Sequence, residues 1–277
     1  MSRTSTPKPH LTSSPRRGPH ALSPSPRRGE GERKVSSSSP LSALRRGGQG
    51  VRTAFTRKLL AWWARAARDL PWRKTRDPYR VLVSEFMLQQ TQVSRVAEYY
   101  PRFLERFPDL ETLARARPRA VREAWDGLGY YARASNLHAL ARVVSRDHDG
   151  TLPDEPEELI KLPGVGRYTA GAVATFAYEK PVPAVDTNVS RVLRRVFWGS
   201  NHAPRTTHRV LWNLAAALVP KSGKSAWKFN QAVMELGALI CVARKPRCPE
   251  CPVRPVCRTG KSRRTDAAGE NRSSKNR

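Results

Sequence analysis

Acidic side chains are scarce in this sequence: 23 Asp and Glu stand against 51 Lys and Arg in 277 residues, a formal net charge of +28. A compact chain with that charge repels itself unless a polyanion lies beside it, so nucleic acid is the leading class of partner. On charge alone an architectural RNA binder and an anionic membrane surface stay open. Long apolar runs are also missing. No stretch approaches the roughly eighteen residues of a membrane span, and the most apolar segment, Ala170 to Tyr178, is far too short. The N-terminus has no apolar h-region, which argues against a secretory signal. Cysteine is restricted to four residues, all between 241 and 257. A disulfide framework would spread through the fold, so this clustering favours a metal site in a reducing compartment. No convincing alternation of apolar and polar positions exists either, which removes β architectures.

The two ends lack apolar residues. Residues 1–50 hold seven Pro and eleven Ser, and Ser-Pro-Arg-Arg-Gly occurs at 14–18 and again at 25–29. Such a segment buries too little to offset the entropy of ordering, so a disordered basic leader is expected. A solvated leader, an over-long start and a weak DNA-binding arm all fit it. Its Arg- and Ser-rich composition also suits a transit peptide, though the repeat argues against one. Residues 258–277 read as a basic disordered tail. The leader carries +8 and the tail +5, which leaves +15 on the residues between them. The folded part therefore expects phosphates in its own right.

What remains is helical. Phe55, Leu59, Leu60, Trp62, Trp63 and Ala66 recur at spacings of three and four in Val51–Arg68. Similar stripes run through Tyr79–Gln89, Gln92–Phe107, Ala120–Leu128, Tyr131–Arg146, Glu157–Leu162, Tyr168–Tyr178, Asn188–Trp198, Arg209–Val219 and Ala226–Cys241. Pro or Gly marks nearly every junction, among them Pro71, Pro78, Pro108, Gly150, Pro163 and Pro220. The expected fold class is an all-α core of about ten helices over 51–257.

Three constellations carry chemistry. In Leu162-Pro163-Gly164-Val165-Gly166-Arg167-Tyr168-Thr169-Ala170 a helix ends at Pro163, a two-glycine hairpin follows, and a second helix begins near Arg167. Glycines at 164 and 166 allow positive φ and close approach of N–H groups to an anion. With the helix N-terminus behind them, Gly164, Val165, Gly166 and Arg167 make a phosphate cradle that grips a DNA backbone without reading sequence. An ordinary tight turn between helices is the plain alternative.

Second, Cys241, Cys248, Cys251 and Cys257 have gaps of six, two and five residues. Structural zinc prefers two well-separated pairs, whereas a long first gap and a closing gap of five look more like a [4Fe-4S] centre. Zinc and free thiols stay open as alternatives. Lys245, Arg247, Arg254 and Arg258 surround these thiols and would give the loop a phosphate-facing surface. Third, Glu85 stands alone on an otherwise apolar helix, where dry surroundings would raise its pKa and make it a proton donor, with a buried ion pair as the plain alternative. Asp186 follows an apolar run and opens a helix, so an N-cap is its plain reading. Two carboxylates in different environments are also what glycosidic bond cleavage uses.

Further motifs extend the pattern: Asp69-Leu70-Pro71-Trp72-Arg73, Asp77-Pro78-Tyr79, Ser84-Glu85 with Met87-Leu88-Gln89-Gln90-Thr91-Gln92-Val93, Gly127-Leu128-Gly129-Tyr130-Tyr131-Ala132-Arg133, and Phe229-Asn230-Gln231 before Glu235-Leu236-Gly237-Ala238. With the hairpin and the four cysteines, the chain resembles the helix–hairpin–helix base-excision glycosylases that include endonuclease III. Within them it is most similar to the MutY-type adenine DNA glycosylases, over about residues 55–257. The resemblance implies two lobes: a six-helix barrel at about 75–183, and a second lobe from the N-terminal helix plus 184–240, with the cluster loop at 241–257. It implies one [4Fe-4S] cluster on Cys241, Cys248, Cys251 and Cys257. Adenine opposite 8-oxoguanine or guanine would be flipped from double-stranded DNA into the cleft between the lobes. Glu85 would protonate it, Asp186 would stabilise the sugar cation, and Tyr168 and Asn188 would flank the pair. Arg68, Leu70, Trp72, Leu88 and Gln231 would line the base pocket, with Gln90 as the wedge filling the vacated stack.

Relatives that cut the DNA backbone carry a Schiff-base lysine where this chain has Tyr168. Lys161, before the hairpin, is a less apt substitute, so a monofunctional enzyme with little or no lyase activity is expected. MutY-type proteins continue past the cluster into a β-rich domain that reads 8-oxoguanine, and the expectation is that this chain lacks it. Thr187 also replaces the glycine that commonly follows the catalytic aspartate. A short thymine–guanine mismatch glycosylase is the same-class alternative, and a non-catalytic cluster-bearing DNA-binding module the alternative from another class. A monomer in the bacterial cytoplasm, associated with the nucleoid and not with a membrane, completes the expectation.

Overall fold

Three aspartates start helices here. Asp77 accepts the Arg80 N–H at 2.7 Å, Asp109 that of Thr112 at 2.7 Å, and Asp186 that of Val189 at 2.6 Å. Each satisfies one of the donors that a first turn leaves unpaired. Asp77 is reinforced by Pro78, whose fixed φ suits the first helical position.

The computed structural model describes residues 48–199 and 208–260, and among them there is no strand. The helices are α1 (Gly48–Ala66), α2 (Pro78–Leu88), α3 (Val93–Arg106), α4 (Leu110–Arg115), α5 (Pro118–Ala124) and α6 (Ala132–Asp147). They continue as α7 (Pro156–Leu159), α8 (Arg167–Phe176), α9 (Thr187–Phe197), α10 (His208–Leu218) and α11 (Gly223–Leu239). Short 3₁₀ turns lie at Pro71–Arg73, Cys248–Glu250 and Arg254–Val256. None of these helices is long and apolar enough to cross a membrane. The leader up to residue 47 and the tail from residue 261 lie outside the described residues.

The all-α expectation holds, with two differences in the elements. The six-residue helix α4 was not anticipated: its buried anchors, Leu110 and Leu113, make a single i, i+3 step, too little to register as a stripe. Conversely, the stripe at Glu157–Leu162 yields only one turn, because the chain must already be bending toward Gly164.

Two apolar cores result. Leu82, Phe86, Phe103, Trp125, Leu137 and Val173 are buried in the first, and Phe55, Leu59, Val192, Leu193, Leu214 and Leu236 in the second. Phe55 meets Phe197 and Phe229 edge-on, at 5.5 and 6.2 Å between ring centroids. Such pairs add about 0.5–1.5 kcal/mol each to the burial itself. Helix α11 is common to both cores, giving Trp227 to the first and Phe229, Ala232 and Leu236 to the second.

The segment before α9 is extended, and its side chains alternate between the cores: Ala184 is buried in the first, Val185 in the second. Asp186 is thereby delivered to the seam. Asn230 fixes the segment as a neighbouring strand would, accepting the Ala184 N–H at 3.0 Å and donating to Val182 O at 3.0 Å. On the other side α8 comes so near that a Cβ on Gly171 would lie 2.4 Å from Pro183 O. Only glycine permits that approach. Gly171→Ala is expected to cost about 1–3 kcal/mol by overpacking and to lower the thermal midpoint by several degrees. An unchanged midpoint would show that the segment is not held by this contact.

Candidate active site

Asp186, so delivered, lines a cleft of about 790 Å³ together with Glu85 of α2, Tyr168 and Asn188. Glu85 lies in the last turn of α2, beside buried Phe86 and Met87, and is 4% exposed. Its Oε2 accepts a 2.7 Å hydrogen bond from the Tyr168 hydroxyl at the start of α8. Burial lifts its carboxyl to about 7; the Tyr168 hydrogen bond opposes the rise and the Asp186 charge adds to it. Burial, together with both carboxylates, pushes the Tyr168 phenol well above its ordinary range, so it stays a donor.

Asp186 serves two ends. One oxygen caps α9 through Val189, and the other accepts the Asn188 side-chain N–H at 2.8 Å. Asn188 Oδ1 in turn accepts from Arg191 at 2.7 Å, and Arg191 donates to the main-chain carbonyls of Cys241 and Gly237 at 2.7 and 2.8 Å. A continuous polar chain therefore runs from Asp186 to the first cysteine. The plain reading of Asp186 as a cap holds, and the same carboxylate lines the cleft.

Arg68, Leu70, Trp72, Leu88, Gln90 and Gln231 all line this cleft. Gln90 is exposed and adopts φ 57°, a left-handed backbone that costs a non-glycine residue roughly 1–2 kcal/mol. Lys161 does not line it: this lysine is exposed and bound to Glu158.

Two further residues of the cleft carry no signal as individual positions in the sequence. Glu235, fully buried on α11, receives Arg68 Nε and Nη2 at 2.9 and 2.7 Å and Arg73 Nη2 at 2.9 Å. Arg73 Nε also donates to Gln231 Oε1 at 2.8 Å. Burial alone would raise the Glu235 carboxyl, but the Arg68 and Arg73 hydrogen bonds outweigh it and hold the pKa at about 2. The cleft thus has one carboxyl near neutrality and one firmly ionised, set apart by their partners.

The hairpin differs in detail from the expectation. Gly164 has φ +73°, and a Cβ there would come within 2.6 Å of Asn136 Cβ, so this glycine is required twice over. Gly166 has φ −93° and open space around it, and permits approach rather than a special backbone. Val165 is no donor in the cradle: its side chain is buried and its N–H bonds Leu162 O at 3.1 Å. The first intrahelical bond is Ala170 N–H to Gly166 O, which leaves the N–H groups of Arg167 to Thr169 as the orphan donors of the turn.

The four cysteines stand around one small, largely apolar cavity with Val192, Leu236 and Val253. Arg195 Nη1 points at Cys241 Sγ (3.5 Å) and the Gly260 N–H at Cys257 Sγ (3.4 Å). Among the described residues no three His, Cys, Asp or Glu side chains are disposed to hold a metal ion.

Residues 83–217 match the model of the HhH-GPD superfamily of base excision DNA repair proteins. A Mycobacterium tuberculosis protein named adenine DNA glycosylase is 47% identical over 74% of this chain and 67% of its own length. The chain belongs to the HhH-GPD superfamily of base excision DNA repair proteins. Two solved structures share the architecture. A thermostable thymine-DNA glycosylase matches at a TM-score of 0.71 and 34% identity, over 77% of this chain and 98% of that one. A trapped endonuclease III–DNA covalent intermediate matches at 0.66 and 26%, over 78% and 97%. The chain spans about two thirds of the length of the mycobacterial relative.

Glu235→Gln leaves two guanidinium groups facing a neutral amide in the interior and is expected to cost about 3–5 kcal/mol. The wild-type carboxylate, lowered in the fold, contributes stability above its ordinary 4.5 that is lost as pH falls toward about 2. Denaturant titrations of both proteins across that window should converge as the pH drops. Parallel curves would mean that the Arg68–Glu235–Arg73 pairing is not a stabilising one.

Proposed function

We propose that this HhH-GPD protein is a monofunctional glycosylase that removes adenine from double-stranded DNA, with guanine or 8-oxoguanine opposite. The observation that carries this reading is that the buried Glu85 carboxyl, raised to about 7, and Asp186 line one cleft. The 47% identity to a protein named adenine DNA glycosylase supports adenine as the base.

The chemistry then balances on this chain's residues. Adenine is extruded into the cleft, since its glycosidic bond is out of reach inside the stack. Protonated Glu85 gives its proton to N7. The C1′–N9 bond breaks with its electron pair going to N9, so the base leaves neutral. Asp186, fixed by Val189 and Asn188, stabilises the positive charge on the sugar without needing to reorganise. Glu85, now ionised, takes a proton from the water that adds to C1′ and is ready again. The Tyr168 hydroxyl holds Glu85 in place, and no amine at that position can form a Schiff base. Gln90, exposed at the cleft mouth, fills the gap in the stack. Tyr130, 62% exposed on the 127–131 loop, offers a ring for stacking on a neighbouring base. The orphan N–H groups at the start of α8 grip the phosphate backbone.

Cys241, Cys248, Cys251 and Cys257 would hold one [4Fe-4S] cluster. The four thiols line a common cavity with N–H donors aimed at two sulfurs, and their gaps of six, two and five support a cuboidal centre over a single zinc ion. When bound, the cluster would tie the loop to α9 and so steady Arg191 and Asp186 from behind. The purified protein should be brown, with iron and sulfide in equal amounts; a colourless protein with one zinc would overturn the assignment.

Duplexes with adenine opposite guanine or 8-oxoguanine should lose adenine, and the strand should break only after alkali. Thymine is the rival base, because a thymine-DNA glycosylase matches at 34% identity; release from a T:G duplex alone would overturn the adenine reading. Glu85→Gln should slow single-turnover excision about 10²–10⁴-fold, and Asp186→Asn about 10²–10³-fold. The wild-type rate should fall as pH rises above about 7, where Glu85 loses its proton. A rate that instead rises above pH 7 would exclude Glu85 as the acid.

A further inference from the structure

Arg133, on the first turn of α6, is only 7% exposed, and every group that it bonds among the described residues is a main-chain carbonyl. Nη1 donates to Phe86, Met87 and Gln89 at 3.0, 2.7 and 2.5 Å. Nη2 donates to Leu128 and Gly129 at 3.0 and 2.9 Å, and Nε to Tyr130 at 3.4 Å. The first group belongs to the end of α2, where the last carbonyls have no intrahelical donor and the helix dipole favours a cation. The second group belongs to the loop after α5. All five N–H groups of the guanidinium are engaged, divided between two loops about forty residues apart in sequence.

Each of those loops ends on an exposed residue with a strained backbone. Gln90 has φ 57° directly after the Gln89 carbonyl, and Tyr130 has φ 46° at the Nε contact. Gly127 and Gly129, at φ 87° and 68°, make the second turn possible. Nothing in the local sequence of either loop would hold two such side chains in register. A planar fork can do so, since it fixes the direction of every bond, whereas a lysine ammonium is a point charge on a flexible stem. The guanidinium also lies 5.6 Å from the centroid of the Tyr130 ring and 5.4 Å from that of Trp125.

We propose that Arg133 is a positioning residue for base extrusion: it joins the Gln90 turn and the Tyr130 turn into one rigid unit, so that both side chains enter the duplex together. The proposal rests on the glycosylase reading above, and it assigns to a buried residue outside the cleft control of the extrusion step rather than of bond cleavage.

The test is a cycle of variants on an A:G duplex, followed by single-turnover adenine release and by fluorescence of 2-aminopurine at the target position. Arg133→Lys should slow release at least tenfold and remove the fluorescence rise on binding, with the pH profile set by Glu85 unshifted. Added to the Gln90→Ala/Tyr130→Ala protein, the same substitution should cost less than threefold, because its targets are already gone. A full tenfold loss in that background, or a shifted pH profile, would show a merely structural role and overturn the proposal. If Arg133→Lys does not fold, Gly129→Ala takes its place. Open space surrounds Gly129, so that substitution disturbs only the left-handed turn; it should likewise weaken the fluorescence rise, and an unchanged rise would overturn the proposal. Wild-type protein that releases no adenine would defeat the glycosylase reading instead, while the fluorescence comparison would still report on the paired loops.

Discussion

The arrangement depends on keeping one carboxyl dry. Glu85 lies in the last turn of α2, against the first core, with Tyr168 as its hydrogen-bond donor and the Asp186 charge acting on it. Burial and a neighbouring negative charge both favour the protonated form, and one phenolic hydrogen bond is too little to reverse them. The fold bears a cost for this. As pH rises from 4.5 toward 7 the unfolded chain releases this proton first, so the folded protein loses stability over that range. Sites that work by a displaced pKa commonly trade stability for it.

Much of the remaining structure positions the partner of that carboxyl. Asn230 and Gly171 fix the extended segment whose alternating side chains deliver Asp186 to the seam between the cores. Asn188 and Arg191 then connect Asp186 to the Cys241 carbonyl, so the cysteine loop supports the acid from behind. Across the cleft, Glu235 is held ionised by Arg68 and Arg73, a contrast made by partners rather than by residue type. Membership of the HhH-GPD superfamily and the identity to a mycobacterial adenine DNA glycosylase give this geometry its chemical context.

The helices were legible wherever an apolar stripe ran for two turns or more, as in α1 and α9, because burying one face imposes the 3.6-residue period. Helix α4, with only Leu110 and Leu113 buried, was too short to show. Glu85 was visible as a lone acid on an apolar helix. The partners of Glu235 were not, since nothing local pairs it with Arg68 and Arg73 more than 160 positions away. Arg133 closes one of the motifs, but its contacts were hidden for a different reason: its acceptors are main-chain carbonyls, which every residue has. The hairpin glycines looked equivalent in sequence, yet only Gly164 needs its positive φ.

The most direct test of the account is the protonation state of Glu85 itself, followed by infrared difference spectroscopy between the wild type and Glu85→Gln as pH is varied. A protonated carboxyl band should persist through the usual titration near 4.5 and disappear around pH 7. A band lost at the ordinary carboxyl pKa would contradict it, because the cleft would then hold no acid to donate a proton at neutral pH.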